Sequence, residues 1–203
     1  MVSTPVIGPG MQKTALPAEY HFSFTDPNEK EQLLYVLLDT DAVLDLDSTY
    51  GLRASGSTVD LALPIPGHHI GGFVAKFKVY VPASSSSGWV YQLGAAKSDG
   101  DWLACRINHD GTTPSVQLIK MVSGTSTTIG SASLTAGAWN DVVFRVRGTT
   151  TWIRGSIEVN GSAVLAGYAD TSDFGPLDRM WLSVSFISGA SGWGLKNLHL
   201  KLG

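Results

Sequence analysis

Apolar and polar residues alternate with a period of two along most of the chain after about residue 61. The clearest row of alternate apolar residues comprises Phe73, Ala75, Phe77, Val79 and Val81. Lys76, Lys78 and Tyr80 occupy positions between them. Successive side chains of a strand point to opposite faces, so this segment predicts a strand with one buried and one exposed face.

Turn-forming residues separate the apolar rows at short intervals. Residues 108–111 (Asn-His-Asp-Gly) stand between rows at 102–107 and 116–122, and Asn160-Gly161 follows another row. Asn and Gly tolerate the positive φ of tight hairpin turns, so both segments predict β-hairpins. No segment after residue 50 has a convincing helical period. The pattern therefore predicts an all-β fold, a two-sheet antiparallel jelly-roll sandwich.

The first 19 residues differ from the rest in composition. They contain Pro5, Pro9 and Pro17, three of the nine prolines, and few apolar residues with any period. Residues 1–70 carry three basic and nine acidic side chains, a net charge of -6, whereas the remainder carries +3. We expect residues 1–19 to form an extended N-terminal arm and residues 20–203 to form the jelly-roll domain.

Overall composition excludes several classes of function. The formal net charge of the 203 residues is -3, which argues against a general nucleic-acid or anionic-membrane binder. Cys105 is the only cysteine, so neither a disulfide framework nor a multi-cysteine zinc motif can form. No apolar run approaches the length of a membrane span. Residues 1–5 have neither a basic nor an apolar region of a secretion signal, so we expect none.

Three segments in the second half of the chain correspond, in order, to the entry into a core strand, a hairpin turn and a terminal strand. They are LTAGAWNDVVF at 134–144, IEVNG at 157–161 and GWGLKNLHL at 192–200. This pattern resembles the concanavalin-A-like lectin and glucanase superfamily, especially its laminin-G-like members, over roughly residues 45–203. The resemblance implies a jelly roll of two antiparallel sheets. Function stays open, because this fold hosts lectins, glycosidases, lyases, adhesion modules and virion proteins.

The catalytic branches of that superfamily use residue sets that this sequence lacks. A retaining glucanase needs two neighbouring carboxyl groups, one as nucleophile and one as acid. The glutamates are Glu19, Glu29, Glu31 and Glu158, and Glu158 stands alone on its strand. The Arg-x-Glu-x-Arg strand of alginate lyases is absent, as is the His-x-Asn-x-Arg strand of the non-catalytic galectins. We therefore expect no catalytic residues and no enzymatic activity.

Acidic and histidine residues offer only weak metal-site candidates. The acidic set Asp39, Asp41, Asp45 and Asp47 could gather oxygens for calcium, but their common parity is typical of the wet face of a strand. His68-His69 and His109-Asp110 are more simply loop residues, because adjacent strand side chains point to opposite faces. We assign no metal and no cofactor from the sequence.

Outward rows that combine Trp and Arg are the strongest candidates for a binding site. The predicted ligand-binding residues are Arg145, Arg147, Trp152, Arg154, Trp102, Arg106 and Trp181. Sugar rings stack on aromatic faces, and guanidinium groups bind hydroxyls or carboxylates, so such rows suit a glycan. The alternatives are cross-strand pairs that cover the sheet, or a subunit contact in a homo-oligomer.

These observations favour a non-catalytic jelly-roll module that binds a polysaccharide or glycan. An arm at residues 1–19, no visible signal peptide and no disulfide suit a phage virion component, either a capsid decoration or a tail appendage, that contacts other assembly subunits through the arm. We expect a virion or extracellular location. Two alternatives remain: a polysaccharide-degrading lyase or glycosidase of the same fold, and a carbohydrate-binding domain of a larger secreted enzyme.

Overall fold

A computed structural model describes residues 19–29, 45–53, 59–63, 72–85, 88–96, 101–148, 153–170, 179–184 and 192–202. The first described strand begins at Glu19, the last residue of the predicted arm. Residues 1–18 lie outside the described residues, and the extended arm stays a prediction. The described part of the chain contains no helix that is long and apolar enough to cross a membrane.

The described residues form strands almost throughout. In chain order the strands are β1 (Glu19–Phe22), β2 (Asp45–Asp47), β3 (Gly51–Arg53), β4 (Val59–Leu63), β5 (Gly72–Val81), β6 (Gly88–Ala96), β7 (Trp102–His109), β8 (Pro114–Val122), β9 (Thr125–Ser133), β10 (Ala138–Gly148), β11 (Ile153–Val159), β12 (Ser162–Asp170), β13 (Arg179–Val184) and β14 (Gly194–Leu202). The prediction of an all-β fold is confirmed.

The strands form two sheets of eight and six strands. The larger sheet has the order β12-β11-β10-β5-β14-β3-β2, with β1 also paired to β14. The smaller sheet has the order β4-β13-β6-β7-β8-β9. All pairings are antiparallel except the short contact between β14 and β3, where Leu195 lies opposite Gly51. The two predicted hairpins are confirmed as β7–β8 and β11–β12, the latter turning at Asn160-Gly161 with both φ angles positive.

The core lies between the sheets and follows the period-two rows. The alternate residues from Phe73 to Val81 are all buried, as are Leu103, Cys105 and Ile107 from the other sheet. Burial raises the pKa of the Cys105 thiol above its usual range, so this cysteine stays a neutral core residue. Trp193 is fully buried and donates its Nε1 hydrogen to Ser85 Oγ at 3.0 Å.

The N-terminal and C-terminal strands meet within the larger sheet. β1 pairs along β14 from Glu19 opposite Lys201 to Phe22 opposite Leu198. Gly51 follows a turn capped by Asp47 and has a φ of +75°, and a Cβ at this position would collide with the backbone oxygen of Leu195. Glycine is therefore required where β3 meets β14.

Candidate functional site

The strands place the predicted binding residues on opposite outer faces of the sandwich. Arg145, Arg147 and Arg154 lie on the outer side of the larger sheet, the eight-stranded face, because the residues between them on β10 are core residues. Trp102 and Arg106 alternate with core residues of β7 and lie on the outer side of the smaller sheet, the six-stranded face. The seven predicted residues therefore do not form one site.

The two remaining predicted tryptophans are Trp181 and Trp152, and the structure describes less of them. The backbone of Trp181 lies in β13, between Gly94 of β6 and Ala62 of β4, so this residue belongs to the smaller sheet. Trp152 falls outside the described residues. Its proposed stacking role beside Arg154 stays a prediction.

Cross-strand ion pairs occupy much of the eight-stranded face. Arg145 Nη1 lies 2.6 Å from Glu158 Oε1, and Lys78 Nζ lies 3.0 Å from Asp141 Oδ1 on the opposite residue of β10. Lys201 Nζ lies 2.8 Å from Glu19 Oε1 in the same way between β14 and β1. Arg145 therefore has a cross-strand partner. Such a partner is expected if the Arg rows form pairs that cover the sheet, which was the alternative to a binding site.

Beside Arg145, the eight-stranded face has a shallow basic depression. Arg147 stands directly opposite Arg154 in the register, and both side chains are exposed. Arg147, Arg145 and Lys201 line a depression of about 380 Å³ with Val74. Like charges in direct opposition are unfavourable, so Arg147 and Arg154 do not stabilise each other.

Aromatic residues cluster at the other end of the same face. Tyr80 packs between Tyr50 and Trp139, with ring centroids 5.4 and 5.5 Å away. Lys196 Nζ lies 4.0 Å from the centroid of the Trp139 ring. Trp139 thus packs against neighbours on the outer face of the sheet. Trp193 is the tryptophan at the centre of the core.

A row of polar residues follows the register across the six-stranded sheet. Successive register partners from one edge of the sheet to the other are Asp60, Ser183, Gln92, Arg106, Gln117 and Ser131. The side chains of Asp60 and Ser183 lie outside the description. At the centre of the row, one amide lies on each side of the Arg106 guanidinium. These amides belong to Gln92 and Gln117.

Arg106 is held in place on two sides. Its Nε donates a hydrogen bond to Gln92 Oε1 at 2.6 Å, and its Cζ lies 5.6 Å from the centroid of the Trp89 ring. A guanidinium has five N–H donors, and this contact with Gln92 uses one of them. Burial lowers the pKa of Arg106 from its ordinary value, but an arginine remains charged. The side chain is thus a positioned, partly desolvated cation.

Small residues form the floor next to this polar row. Gly94 lies opposite Ala104, and Ala96 lies opposite Trp102, one row further along the sheet. Ala96 and Ala104 are buried although neither belongs to the core between the sheets. These small apolar residues are therefore covered, and they lie beside the half-buried Arg106 and Trp102.

Sequence reasoning missed Gln92 and Gln117, and Trp89 is not among the seven predicted ligand-binding residues. A β-bulge between Trp89 and Tyr91 shifts the register against β7. Trp89 and Gln92 consequently reach the same face at a spacing of three, which a period-two reading assigns to opposite faces. Gln117 alternates with the core residues Val116 and Leu118, and this parity was the available signal.

The metal and acid–base candidates that the structure describes have local structural roles. His109 is buried, and its Nδ1 accepts a hydrogen bond from the Gly111 N–H at 2.9 Å. Hydrogen bonds from the Thr113 N–H and from the N–H and hydroxyl of Thr112 lower the pKa of Asp110 to about 2. Asp110 therefore stabilises the turn of the β7–β8 hairpin as a carboxylate.

Among the aspartates considered for calcium, Asp47 also has a local structural role. Asp47 Oδ1 accepts hydrogen bonds from the N–H groups of Thr49 and Tyr50 at 2.7 and 2.8 Å, and these lower its pKa. Asp45 shares the short strand β2 with Asp47. Asp39 and Asp41 lie outside the described residues, as do His68 and His69. Asp47 therefore caps the turn that follows β2.

Comparison with known proteins identifies the architecture. No protein-family model and no curated protein sequence matches the chain. Among solved structures, the legume lectin-like domain from Entamoeba histolytica is similar with a TM-score of 0.60 and 10% identity, over 94% of this chain and 98% of that one. Alginate lyase Aly36B is similar with a TM-score of 0.57 and 12% identity, over 92% and 98% of the two chains.

A module of a phage protein has the same architecture. The CBM2 module of the evolved Dit of Lactobacillus casei BL23 phage J-1 is similar with a TM-score of 0.51 and 9% identity, over 78% of this chain and 79% of that one. At such identities the likeness concerns the fold alone. That fold is shared by lectin-like domains, carbohydrate-binding modules and enzymes.

Proposed function

The chain has the concanavalin-A-like lectin fold, and we propose that it is a non-catalytic module that binds a glycan on its six-stranded face. The observation that carries the proposal is the geometry of Arg106. This cation is fixed by Gln92 and Trp89 in the middle of a polar row, beside the small residues Gly94 and Ala104.

The chemistry of this face matches that of a sugar. A guanidinium and flanking amides donate and accept hydrogen bonds in one plane, as ring hydroxyls require. An aromatic ring such as that of Trp89 or Trp102 offers an apolar surface to the C–H groups of a sugar ring. A charged Arg106 would further favour an acidic sugar through a charge-assisted hydrogen bond to its carboxylate.

A polysaccharide-degrading enzyme is the second candidate, because alginate lyase Aly36B shares the fold. Glycoside hydrolysis by the usual route needs two carboxyl groups on either side of the scissile bond. Among the described side chains of β6 to β9 on the six-stranded face, the polar groups are amides, hydroxyls and Arg106, with no carboxylate. This composition supports binding over hydrolysis.

We place the module on a phage particle, with residues 1–18 contacting other assembly subunits. The proposal rests on the proline-containing N-terminal segment and on the use of the same fold by a phage protein module. A virion or extracellular location follows from it. Removal of residues 1–18 should leave glycan affinity unchanged and should abolish association with the parent assembly in a co-sedimentation assay. Unchanged association would contradict this role.

Binding and catalysis can be separated on one panel of neutral and acidic polysaccharides. We expect saturable binding by isothermal titration calorimetry, with no new reducing ends and no unsaturated products after prolonged incubation. Trp89→Ala should weaken binding tenfold or more, because one stacked ring contributes roughly 1–3 kcal/mol when bases stack on aromatic side chains. Trp139→Ala, on the opposite face, is the matched control and should bind normally. Product formation by the wild type would favour the enzyme.

A further inference from the structure

Two histidines and a glutamate meet where the first and last strands pair. His21 of β1 lies directly opposite His199 of β14, and their rings stack with centroids 3.9 Å apart. Glu19 precedes His21 by two residues and therefore shares its face. Glu19 Oε2 lies 3.6 Å from His199 Nε2 and 3.9 Å from His21 Nε2. One ligand atom from each of the three lies within 4.8 Å of the others.

These separations are close to those of a metal site. Zinc binds imidazole nitrogen at about 2.0–2.1 Å and carboxylate oxygen at about 2.0–2.2 Å, so tetrahedral ligand atoms lie roughly 3.3–3.5 Å apart. The two rings are stacked nearly parallel, so the His21 ring must rotate out of the stack before both Nε2 lone pairs can converge on one ion. His21 and Glu19 are exposed, which leaves both side chains room to move. Both strands are already fixed by backbone pairing, so binding would order few additional torsions.

The state of His199 points to a missing partner. Its Nε2 is buried, and within the described chain it has no hydrogen-bond partner. A buried nitrogen without a partner carries an unfavourable desolvation cost, which a metal ion at this position would remove. The carboxylate oxygen Glu19 Oε2 lies just beyond hydrogen-bond distance of this nitrogen, at 3.6 Å.

Neighbouring charges orient the carboxylate and limit the site. Lys201 Nζ holds Glu19 Oε1 at 2.8 Å, which leaves Oε2 for the imidazoles. Lys76 and Arg145 line the adjoining depression and would oppose a cation. The Lys201 ammonium thus donates a supporting hydrogen bond to the Glu19 carboxylate, of the kind that orients metal ligands.

We propose that Glu19, His21 and His199 bind one zinc ion, with a water molecule in the fourth position. Two imidazole nitrogens and one carboxylate oxygen form a ligand set that suits Zn²⁺, and exposed sites with three protein ligands keep one position open. The ion would join the N-terminal strand to the C-terminal strand. It lies on the eight-stranded face, so the proposal does not depend on glycan binding at the six-stranded face.

Zinc titration of untagged, chelator-treated protein tests the site directly. We expect one equivalent of Zn²⁺ in competition with a chromophoric chelator, and no comparable binding of Mg²⁺. The melting temperature should rise by about 5–10 °C when free zinc exceeds the dissociation constant a hundredfold. Failure to bind one equivalent at micromolar concentration would overturn the proposal.

Histidine variants distinguish this site from other zinc-binding groups. His21→Gln and His199→Gln should each weaken binding by more than the roughly 10- to 100-fold that follows loss of a supporting hydrogen bond. The double variant His68→Gln/His69→Gln removes two histidines that are neighbours in the sequence and are not proposed ligands. It should bind zinc normally. Circular dichroism in the absence of zinc confirms that each variant is folded. Loss of binding in the double variant, or normal binding by both single variants, would overturn the proposal.

Discussion

The two outer faces of the sandwich both carry cations and aromatic rings, but they use them differently. On the eight-stranded face, Arg145 and Lys78 each lie within 3.0 Å of a carboxylate from a neighbouring strand. On the six-stranded face, Arg106 contacts a neutral amide and an aromatic ring. Its positive charge is positioned without being neutralised by a described carboxylate.

This difference separates structural charges from charges suited to a ligand. A cross-strand ion pair at an exposed surface contributes about 0–1 kcal/mol and satisfies both partners. A half-buried arginine held by an amide has lost hydration without gaining a counter-charge, so an incoming hydroxyl or carboxylate supplies what its environment lacks. Residue type alone does not distinguish these cases, whereas the partners of each residue do.

The largest expected effect concerns the stability of the larger sheet, at the contact of β3 with β14. Gly51→Ala should destabilise the protein by about 2–5 kcal/mol, because a positive φ costs roughly 1–2 kcal/mol and overpacking against Leu195 costs roughly 1–3 kcal/mol. Gly124 in the β8–β9 turn has a similar φ of +77° with open space around its Cβ position. Gly124→Ala is therefore the matched control, with a loss of about 1–2 kcal/mol. Urea denaturation measures both, and equal losses would contradict the close contact of β3 with β14.

A smaller effect on affinity should distinguish the two faces. Arg106→Met removes hydrogen bonds from a charged donor, worth about 1.5–3 kcal/mol, and should weaken glycan binding roughly 10- to 100-fold. Arg145→Met removes a guanidinium of the same kind from the eight-stranded face and should leave affinity unchanged. Its stability loss should stay below about 1 kcal/mol. Calorimetry of both variants checks this, and the reverse order of affinities would place the ligand on the eight-stranded face.

The smallest effect is a pH dependence in the hairpin that carries Arg106. Asp110 has a pKa lowered to about 2 in the folded protein, against an ordinary value of 3.8. Its stabilising contribution is therefore complete above about pH 4 and is lost as the pH falls through about 2. Asp110→Asn should flatten the fall in melting temperature between pH 4 and pH 2. An unchanged acid slope would show that other carboxylates dominate.

Local patterning was sufficient to predict the strands and their buried rows. The alternation from Phe73 to Val81 identifies one side of β5 as core because side-chain direction in a strand depends only on sequence parity. The same holds for the turn at Asn160-Gly161. These features are set by near neighbours, and the sequence contains what determines them.

Pairing between distant strands could not be predicted in the same way. Parity shows that Arg106 and Arg145 both point outward, but it does not show which sheet each strand joins. The sheet order places them on opposite faces. His21 and His199 are 178 residues apart and meet only because β1 pairs with β14. The bulge after Trp89 hid Gln92, since one additional residue reverses the parity on one side of it.

Mapping of amide chemical shifts during a glycan titration tests most directly which face binds the ligand. Two-dimensional ¹⁵N–¹H spectra report every non-proline backbone amide, so both faces are observed in one experiment. Our account predicts that the largest shifts fall on Trp89, Gln92, Arg106 and Gln117, with little change at Arg145, Arg147 and Arg154. Largest shifts at those three arginines, with the six-stranded face unchanged, would contradict it.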